Sequence, residues 1–448
     1  MELRGKNIVV VGMARTGIAT ARFLLDRGAR VTVSEAKPAA QLPAEALALA
    51  QQGVLLETGG HRMETLRGAE LIVVSPGVPL DIAPLRAADK SGIEIISEIE
   101  LAYRFLQTPL IAVTGTNGKT TTTSLLGELF QHAGKKVFVG GNIGTPLIAY
   151  VSGTQDRDFV IAEISSFQLE GIKVFRPFIS VLLNITEDHL DRYQSFAEYG
   201  DAKGRIFLNQ TGEDFAVLNY DDPQVRALDP AIRAQKVFFS TRQPLPDGIS
   251  YNGALHLRLR GEDEHITIAG ALLAGIHNVE NMMAAAAVGF VYGLSLQSMQ
   301  QALVRFSGLK HRMELVDEIS GITFYNDSKA TNVGAVVKSL ESLPAPLVLI
   351  AGGKDKGGSY APLQSLLREK VKLLILLGEA RERMHAALGK EVETVMAASL
   401  DEAVRTAFNR SEPGDTVLFS PACSSFDMFT SYEQRGACFK ELVSALKE

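Results

Sequence analysis

The sequence predicts an α/β protein built on mostly parallel sheets and divided into three domains. Two observations lead there. Short, fully apolar, β-branched runs recur along the chain, and nearly all of them end in glycine or polar residues before a helical spacing of apolar positions begins. At 448 residues the chain also has room for roughly three separate cores. The expected domains are residues 1–97, 98–305 and 306–448.

Residues 6–11 (KNIVVV) form a short buried strand that runs into GMARTG at 12–17 and then an alanine-rich helix stopped by Gly28. A second strand at 30–33 ends at Ser34 and Glu35. This is the pattern of the first half of a dinucleotide-binding βαβ unit, with Glu35 where an acidic residue holds a ribose and Ala14 in place of the middle glycine. A further strand, LIVVS at 71–75, is followed by a Pro-Gly-Val-Pro turn. The first domain is therefore expected to be Rossmann-like, either binding a nucleotide at its strand ends or serving as a structural module.

The central domain is organised around LIAVTGTNGKTTTTS at 110–124, an apolar run that stops at a glycine-rich turn and restarts as helix. Gly115 and Gly118 let the backbone curl so that its N–H groups converge on phosphate oxygens at the positive end of the helix. Lys119 adds a cation for the terminal phosphates, and the hydroxyl of Thr120 can reach a magnesium ion. Val113 stands where the standard phosphate loop has glycine, and a turn with a surface lysine is the plainer alternative. A strand at 136–139 leads into GGNIGTP, whose Asn142 is either a turn residue or a sugar or phosphate contact. The strand at 158–164 ends in Glu163, beside the loop and placed for magnesium.

The strand at 178–184 ends in a polar cluster of Glu187, Asp188, His189, Asp191 and Arg192. Polar residues thus collect at one edge of several parallel strands, where such folds put their ligands. Residues 196–208 read as a helix carrying Lys203, which by itself is a solvated lysine. Residues 215–276 read as short strands and turns with a hairpin turn at 251–253. The alanine-rich helix that follows carries Asn278 near its start, able to cap it or to touch a base.

The third domain opens with FSGLKHR at 306–312, a basic hinge that lends His311 and Arg312 to a phosphate site. The strands at 323–326, 347–351, 372–377 and 416–419 again precede polar or glycine-rich turns, among them DSKATN, GGKDKGG and SPACSS. A central P-loop-type mononucleotide-binding domain between two Rossmann-like α/β domains is the expected architecture.

Composition narrows the function. A net charge of −6 argues against a general nucleic-acid binder, and no apolar run of about 18 residues spans a bilayer. The start of the chain leads straight into a strand, so the cytoplasm is the expected compartment. Cys423 and Cys438 are too few for a disulfide framework and read as buried thiols.

Taken together, GTNGKT at 115–120, EISSFQ at 163–168, NITEDH at 184–189, NDSKAT at 326–331 and SPACSS at 420–425 resemble the Mur ligase family, and within it the D-glutamate-adding branch. The phosphate loop is shared with folylpolyglutamate synthases, whereas SSFQLE and NDSKATN belong to the branch. The resemblance implies a monomeric ligase that uses ATP and magnesium, two ions of it, to join D-glutamate to UDP-N-acetylmuramoyl-L-alanine in peptidoglycan synthesis. An acyl phosphate is the implied intermediate, with no nucleic-acid or membrane partner.

Residue by residue, the resemblance implies an ATP site of Gly115, Thr116, Asn117, Gly118, Lys119, Thr120, Thr121, Asn278, His311, Arg312 and Asp327. Lys119, His189 and Lys203 are the implied catalytic residues, and Thr120, Glu163, His189 and Lys203 the implied metal ligands. A lysine ammonium has the wrong charge to hold a cation, so Lys203 is implied to be carbamylated. Arg15, Thr16, Glu35, Lys37, Ser75, Asn142, Gln168 and His189 match positions for the UDP substrate, which replaces the dinucleotide reading. Lys329, Thr331, Lys356, Ser425 and Tyr432 match those for D-glutamate, Tyr432 through its backbone. A ligase of this kind with another acceptor and a nucleotide-sensing protein without turnover are the rival readings.

Overall fold

The computed structural model describes residues 1–447 except Leu190, Asp191, Arg260, Ala274 and Lys356. The chain forms two compact units, Met1–Phe306 and Ser307–Glu448. The first unit holds two sheets and the second unit one.

In the first sheet the strands lie in the order Leu55–Thr58, Arg30–Glu35, Asn7–Val11, Leu71–Val74 and Ile95–Ser97, all parallel. Strands apolar on both faces suit a sheet covered by helices on both sides. The order reverses between Asn7–Val11 and Leu71–Val74, which opens a crevice at their carboxyl ends. Helix Arg15–Asp26 leaves that crevice so tightly that a Cβ on Gly17 would sit 1.9 Å from the carbonyl oxygen of Gly12.

The nine-stranded second sheet places Leu110–Thr114 between Ile179–Leu182 and Phe159–Glu163, parallel to both. Consequently the glycine loop, Glu163 and the turn that begins at Asn184 emerge side by side at one edge. Residues 215–276 form short strands and turns as expected, and the first two strands, Phe215–Asn219 and Gln235–Ser240, extend this sheet in parallel. Their connecting helix, Pro223–Leu228, is too short to show a helical period, so the crossover is hidden in the sequence. The hairpin of Gly248–Tyr251 and Ala254–Leu259 then turns through Asn252 and Gly253.

Helix Lys119–His132 and the alanine-rich helix Ile276–Tyr292 share one core, in which Leu125, Leu126 and Leu129 meet Ala284, Ala285, Ala286 and Ala287. The small side chains let the second helix lie close under the glycine loop. Buried carboxylates join the two sheets of this unit. Glu98 accepts the N–H of Ile148 at 2.7 Å, and Glu100 accepts those of Lys173, Val174 and Phe175 while pairing with Arg104.

The second unit is a six-stranded sheet in the order Glu314–Ile319, Ile322–Asn326, Thr416–Phe419, Leu347–Gly352, Val371–Leu377 and Thr394–Met396. The first pair is antiparallel and the rest are parallel. The guanidinium of Arg435, on helix Tyr432–Ser444, is buried against the Ser328 carbonyl at 2.8 Å, the Ser328 hydroxyl at 3.0 Å and the Cys423 carbonyl at 3.2 Å. Burial pulls its pKa down to about 10. Among the described residues no helix is long and apolar enough to cross a membrane.

Since nothing can shift at Gly17 without moving backbone, Gly17→Ala is expected to destabilise the first unit by about 2 kcal/mol or more. Denaturant unfolding monitored by far-ultraviolet circular dichroism would detect the change, and an unaltered midpoint would refute the tight turn.

Candidate active site

The glycine loop has its shape because two positions admit no side chain. Gly118 has φ of +84°, and a Cβ there would meet the Asn281 Oδ1 at 2.3 Å. Gly115 has φ of +151° with Leu183 at 3.0 Å. Asn184 braces the loop from behind: its carbonyl accepts the Thr116 N–H at 2.9 Å and its Oδ1 accepts the Asn117 N–H at 2.8 Å. Those two donors are therefore spent on shaping the loop. The N–H groups of the first turn of helix Lys119–His132, which have no intrahelical acceptor, are the ones left for an anion.

Asn281 was not foreseen from the sequence. It lies buried on helix Ile276–Tyr292, accepts the Thr122 hydroxyl at 3.1 Å and donates to Asn278 Oδ1 at 3.2 Å. Its signal is an amide on an otherwise apolar face, three residues from Asn278 and so on the same side of the helix. Asn278 joins the loop through it.

Two ammonium groups converge on one oxygen. Lys119 donates to the Gly115 and Thr116 carbonyls, both at 2.8 Å, and Lys203 donates to the same Gly115 carbonyl at 2.8 Å. Lys203 is placed by helix Phe196–Gly204, which Ser195 caps by accepting the Glu198 N–H at 3.2 Å. Tyr199, one turn earlier, carries the Lys203 Nζ 4.5 Å above its ring and bonds the Thr116 hydroxyl at 3.2 Å. Gly204 beside Lys203 packs closely on Leu228, whose side chain would stand 3.2 Å from a Cβ there. Only 1 % of Lys203 is exposed, which excludes the solvated lysine that spacing alone suggests. Burial, followed by the nearby Lys119 charge, pulls the Lys203 ammonium down to about 7.

Glu163 ends the neighbouring strand with its Oε1 accepting from Asn142 at 2.8 Å. Its Oε2 is buried with no hydrogen-bond partner among the described residues. An orphaned carboxylate oxygen facing a lysine that is readily neutral fits the coordination of a cation. Gln168 closes a capping box with Ser165, and its Oε1 accepts the Ser165 N–H at 2.9 Å. His189 adopts φ of +54° and packs its ring 4.8 Å from Phe167, on the helix that Gln168 shares. Thr120 and Thr121 lie half-buried in the first turn after Lys119. No cluster of three His, Cys, Asp or Glu poised for a metal occurs among the described residues.

At the crevice of the first sheet, Glu35 is engaged by backbone. Its carboxylate accepts the Met13 N–H at 2.7 Å and the Lys37 N–H at 2.9 Å, and so ties the two loops together. Ser75 donates to the Gly12 carbonyl at 3.1 Å. Arg15 and Thr16 open the helix beside them, Arg15 exposed. The sequence reading missed His61, whose Nδ1 lies 2.8 Å from the Ser34 hydroxyl and whose pKa burial lowers despite Glu35.

In the second unit a cavity of about 550 Å³ is lined by Thr331, Ser425 and Tyr432 together with Lys354, Asp355 and Ser424. Lys329 holds its loop through its N–H to the His311 carbonyl at 2.9 Å, and Ser328 donates to the Tyr432 carbonyl at 2.9 Å. Asp327 is turned inward: Oδ2 accepts the Ser339 and Ser420 hydroxyls, both at 2.6 Å, and burial raises its pKa. His311, buried with φ of +63°, meets Asn326 at 3.0 Å, and Arg312 follows it with its charge felt at Asp327. Lys356 lies outside the described residues.

A strand, a glycine turn and a lysine-bearing helix in a mostly parallel sheet define a mononucleotide-binding α/β protein. Family models described as "Mur ligase MurD-like, N-terminal domain", "Mur ligase middle domain" and "Mur ligase, glutamate ligase domain" match residues 6–97, 113–289 and 311–423. A UDP-N-acetylmuramoylalanine--D-glutamate ligase of Geotalea uraniireducens is 55 % identical over 449 residues, covering 100 % of this chain and 99 % of that protein. One of Geotalea daltonii with the same name is 53 % identical with the same coverage. The crystal structure of MurF ligase from Thermotoga maritima in complex with ADP shares the fold, with a TM-score of 0.58 at 16 % identity over 99 % of this chain and 96 % of that one. The chain belongs to the Mur ligase family.

The low Lys203 pKa fixes a sign. The unfolded chain binds this proton up to the ordinary lysine range, the folded one only below about 7, so stability rises with pH across that window. In carbon-dioxide-free buffer, Lys203→Met is expected to flatten the rise, which is at most about 1.4 kcal/mol per pH unit. Urea unfolding of both proteins between pH 7 and 10 decides it, and equal slopes would contradict the assignment.

Proposed function

We propose that this chain joins D-glutamate to UDP-N-acetylmuramoyl-L-alanine at the expense of ATP in peptidoglycan synthesis, as a monomer in the cytoplasm. The observation that carries the reading is the convergence of Lys119 and Lys203 on the Gly115 carbonyl, beside a buried Glu163.

An alanyl carboxylate oxygen attacks the γ-phosphorus of ATP and ADP departs, leaving an acyl phosphate. The uncharged amine of D-glutamate then adds to the acyl carbon, and the tetrahedral adduct expels phosphate as the amine proton is lost. Catalysis of the first step is chiefly positioning and charge neutralisation. The loop residues Gly115, Thr116, Asn117, Gly118 and Thr121 enclose the phosphates. Lys119 exchanges its two carbonyl acceptors for the β- and γ-phosphate oxygens, while Asn278, His311, Arg312 and Asp327 complete the ATP set.

Lys203, largely able to shed its proton near neutrality, is nucleophilic toward carbon dioxide. The carbamate that forms turns a cation into a carboxylate-like anion and removes its repulsion with Lys119. Thr120, Glu163, His189 and carbamylated Lys203 are the groups that would hold magnesium, two ions of it. When bound, magnesium supplies positive charge for the phosphate oxygens. The crevice of the first sheet, with Arg15, Thr16, Glu35, Lys37 and Ser75, takes the uridine diphosphate, and Asn142, Gln168 and His189 continue toward the sugar. In the second unit Lys329, Thr331, Lys356, Ser425 and Tyr432 receive D-glutamate, two cations answering two carboxylates.

ADP formation is expected to require both UDP-N-acetylmuramoyl-L-alanine and D-glutamate, with L-alanine, which lacks the second carboxylate, accepted about 10⁴-fold less well, and with L-glutamate and a diamino acid as the other acceptors compared. A coupled assay measures this, and hydrolysis indifferent to the acceptors would overturn the reading. Removing Lys119 by Lys119→Ala should lower kcat by about 10²-fold or more. Depleting bicarbonate should lower activity reversibly in the wild type, and mass spectrometry of rapidly trapped protein should find carbon dioxide on Lys203.

A further inference from the structure

After strand Leu347–Gly352 the chain makes a glycine-rich turn that forms one wall of the 550 Å³ cavity through Lys354 and Asp355. The first half of this turn is held by backbone: the Lys354 N–H donates to the carbonyl of Ser424, next to Ser425 in the cavity lining, at 2.9 Å. Among the described residues the second half has no strand partner. It is gripped by a side chain on another element.

Arg383 lies on helix Arg381–Leu388, and the turn leading into that helix is itself fixed to the wall, because the Ala380 N–H donates to the Gly353 carbonyl at 2.8 Å. From there the guanidinium reaches three acceptors. It forms an ion pair with the Asp355 Oδ2 and donates to the Gly357 carbonyl at 3.1 Å and the Gly358 carbonyl at 2.5 Å. The other oxygen of Asp355 accepts the Gly357 N–H at 2.9 Å and the Tyr360 hydroxyl at 3.1 Å. Tyr360 is 5 % exposed and its hydroxyl stands 3.4 Å from the Cys423 Sγ, so the network ends in the core. The Arg383 carbon Cζ lies 5.3 Å from the centre of the Tyr360 ring.

Three of the roughly four acceptor sites of Asp355 are thus used within the wall, which leaves it little capacity to bind a ligand in the cavity it lines. That matters for an acceptor amine, which must be free and uncharged to attack: an available carboxylate there would hold it as ammonium. Among the described residues of this turn, Lys354, whose backbone the Ser424 bridge fixes, is a cation that lines the cavity. A planar fork with several donors is the side chain suited to fixing a glycine turn by its carbonyls. The flexible point charge of a lysine is not.

We propose that Arg383 is a positioning residue for the amino-acid cavity: by holding Asp355 and the carbonyls of Gly357 and Gly358 it sets the wall that carries Lys354 against a dicarboxylic amino acid. The inference rests on the proposed function. Arg383 does not touch the substrate, and it acts through Asp355 and the turn.

Steady-state ADP formation tests it on the full chain, with wild type, Arg383→Ala, Arg383→Lys and Asp355→Asn. Turnover of the wild type that depends on D-glutamate is read first and decides the proposed function by itself. Given that turnover, Arg383→Ala is expected to raise the KM for D-glutamate about tenfold while the KM values for ATP and the UDP substrate stay within about twofold. Arg383→Lys should recover part of the loss, and Asp355→Asn combined with Arg383→Ala should be no worse than Arg383→Ala alone. The pair is partly exposed, so the melting temperature should move little. A D-glutamate KM within twofold of wild type, or an equal loss in all three KM values, overturns the proposal. Should Arg383→Ala fail to fold, Asp355→Asn alone, which removes the ion pair without shortening a side chain, gives the same reading.

Discussion

The site in the first unit depends on one backbone oxygen. The Gly115 carbonyl receives both Lys119 and Lys203, and two ammonium ions cannot be held by a single neutral acceptor, one of them out of water, without a large electrostatic cost. Of the two, Lys203 is the more deeply buried, and no carboxylate pairs with it among the described residues. Its proton is the one that yields. Beside it, Glu163 has the opposite defect, an oxygen buried without a donor among the described residues. The protein alone leaves both defects standing, and they are complementary to a polyanion and its cations. Stability has been given up where binding will restore it.

Such an arrangement survives only if the surrounding structure is rigid. Asn184 uses three of its polar groups on Thr116 and Asn117, Tyr199 bridges from the Lys203 helix to Thr116, and Asn281 fills the space under Gly118. The glycine loop and the turn at Asn184 leave adjacent parallel strands in the interior of a nine-stranded sheet, with helices packed beside them. A loop at a sheet edge would relax and separate the lysines. The central position forbids it, and so the fold, rather than any one contact, keeps the charges in conflict.

Legibility in the sequence followed the range of the interactions. The glycine loop was plain because strand, glycines, lysine and helix are consecutive, and the three-sheet α/β architecture was plain because each buried strand is locally apolar. Lys203 was not. Spacing gave a surface lysine, since its burial arises from packing on Tyr199 and from a carbonyl far back in the chain, and only the resemblance to a family singled it out. Asn281 and His61 went unseen for the same reason: each looks ordinary beside its sequence neighbours and gains meaning from a partner on another element. The short strands after residue 215 were expected, but their parallel pairing was not, because the crossover helix between them has six residues, below the length at which periodicity registers.

The second unit uses a different device to fix its loops. Arg435 is 1 % exposed and bonded to carbonyls and a hydroxyl rather than to a carboxylate, so it gains little Coulombic energy in return for leaving water. A hydrophobic residue of similar volume would avoid the cost of burying a charge, but it would take the arginine's donors from the Ser328 and Cys423 carbonyls and leave the two turns that carry Lys329, Thr331 and Ser425 unjoined. What the arginine contributes is a defined distance between those turns. Lys119 and Lys203, by contrast, crowd a single oxygen and stand ready to let it go. Arg435 spans several carbonyls and so fixes two turns beside the cavity of the second unit, whereas Lys119 and Lys203 compete for one carbonyl and fix nothing by it.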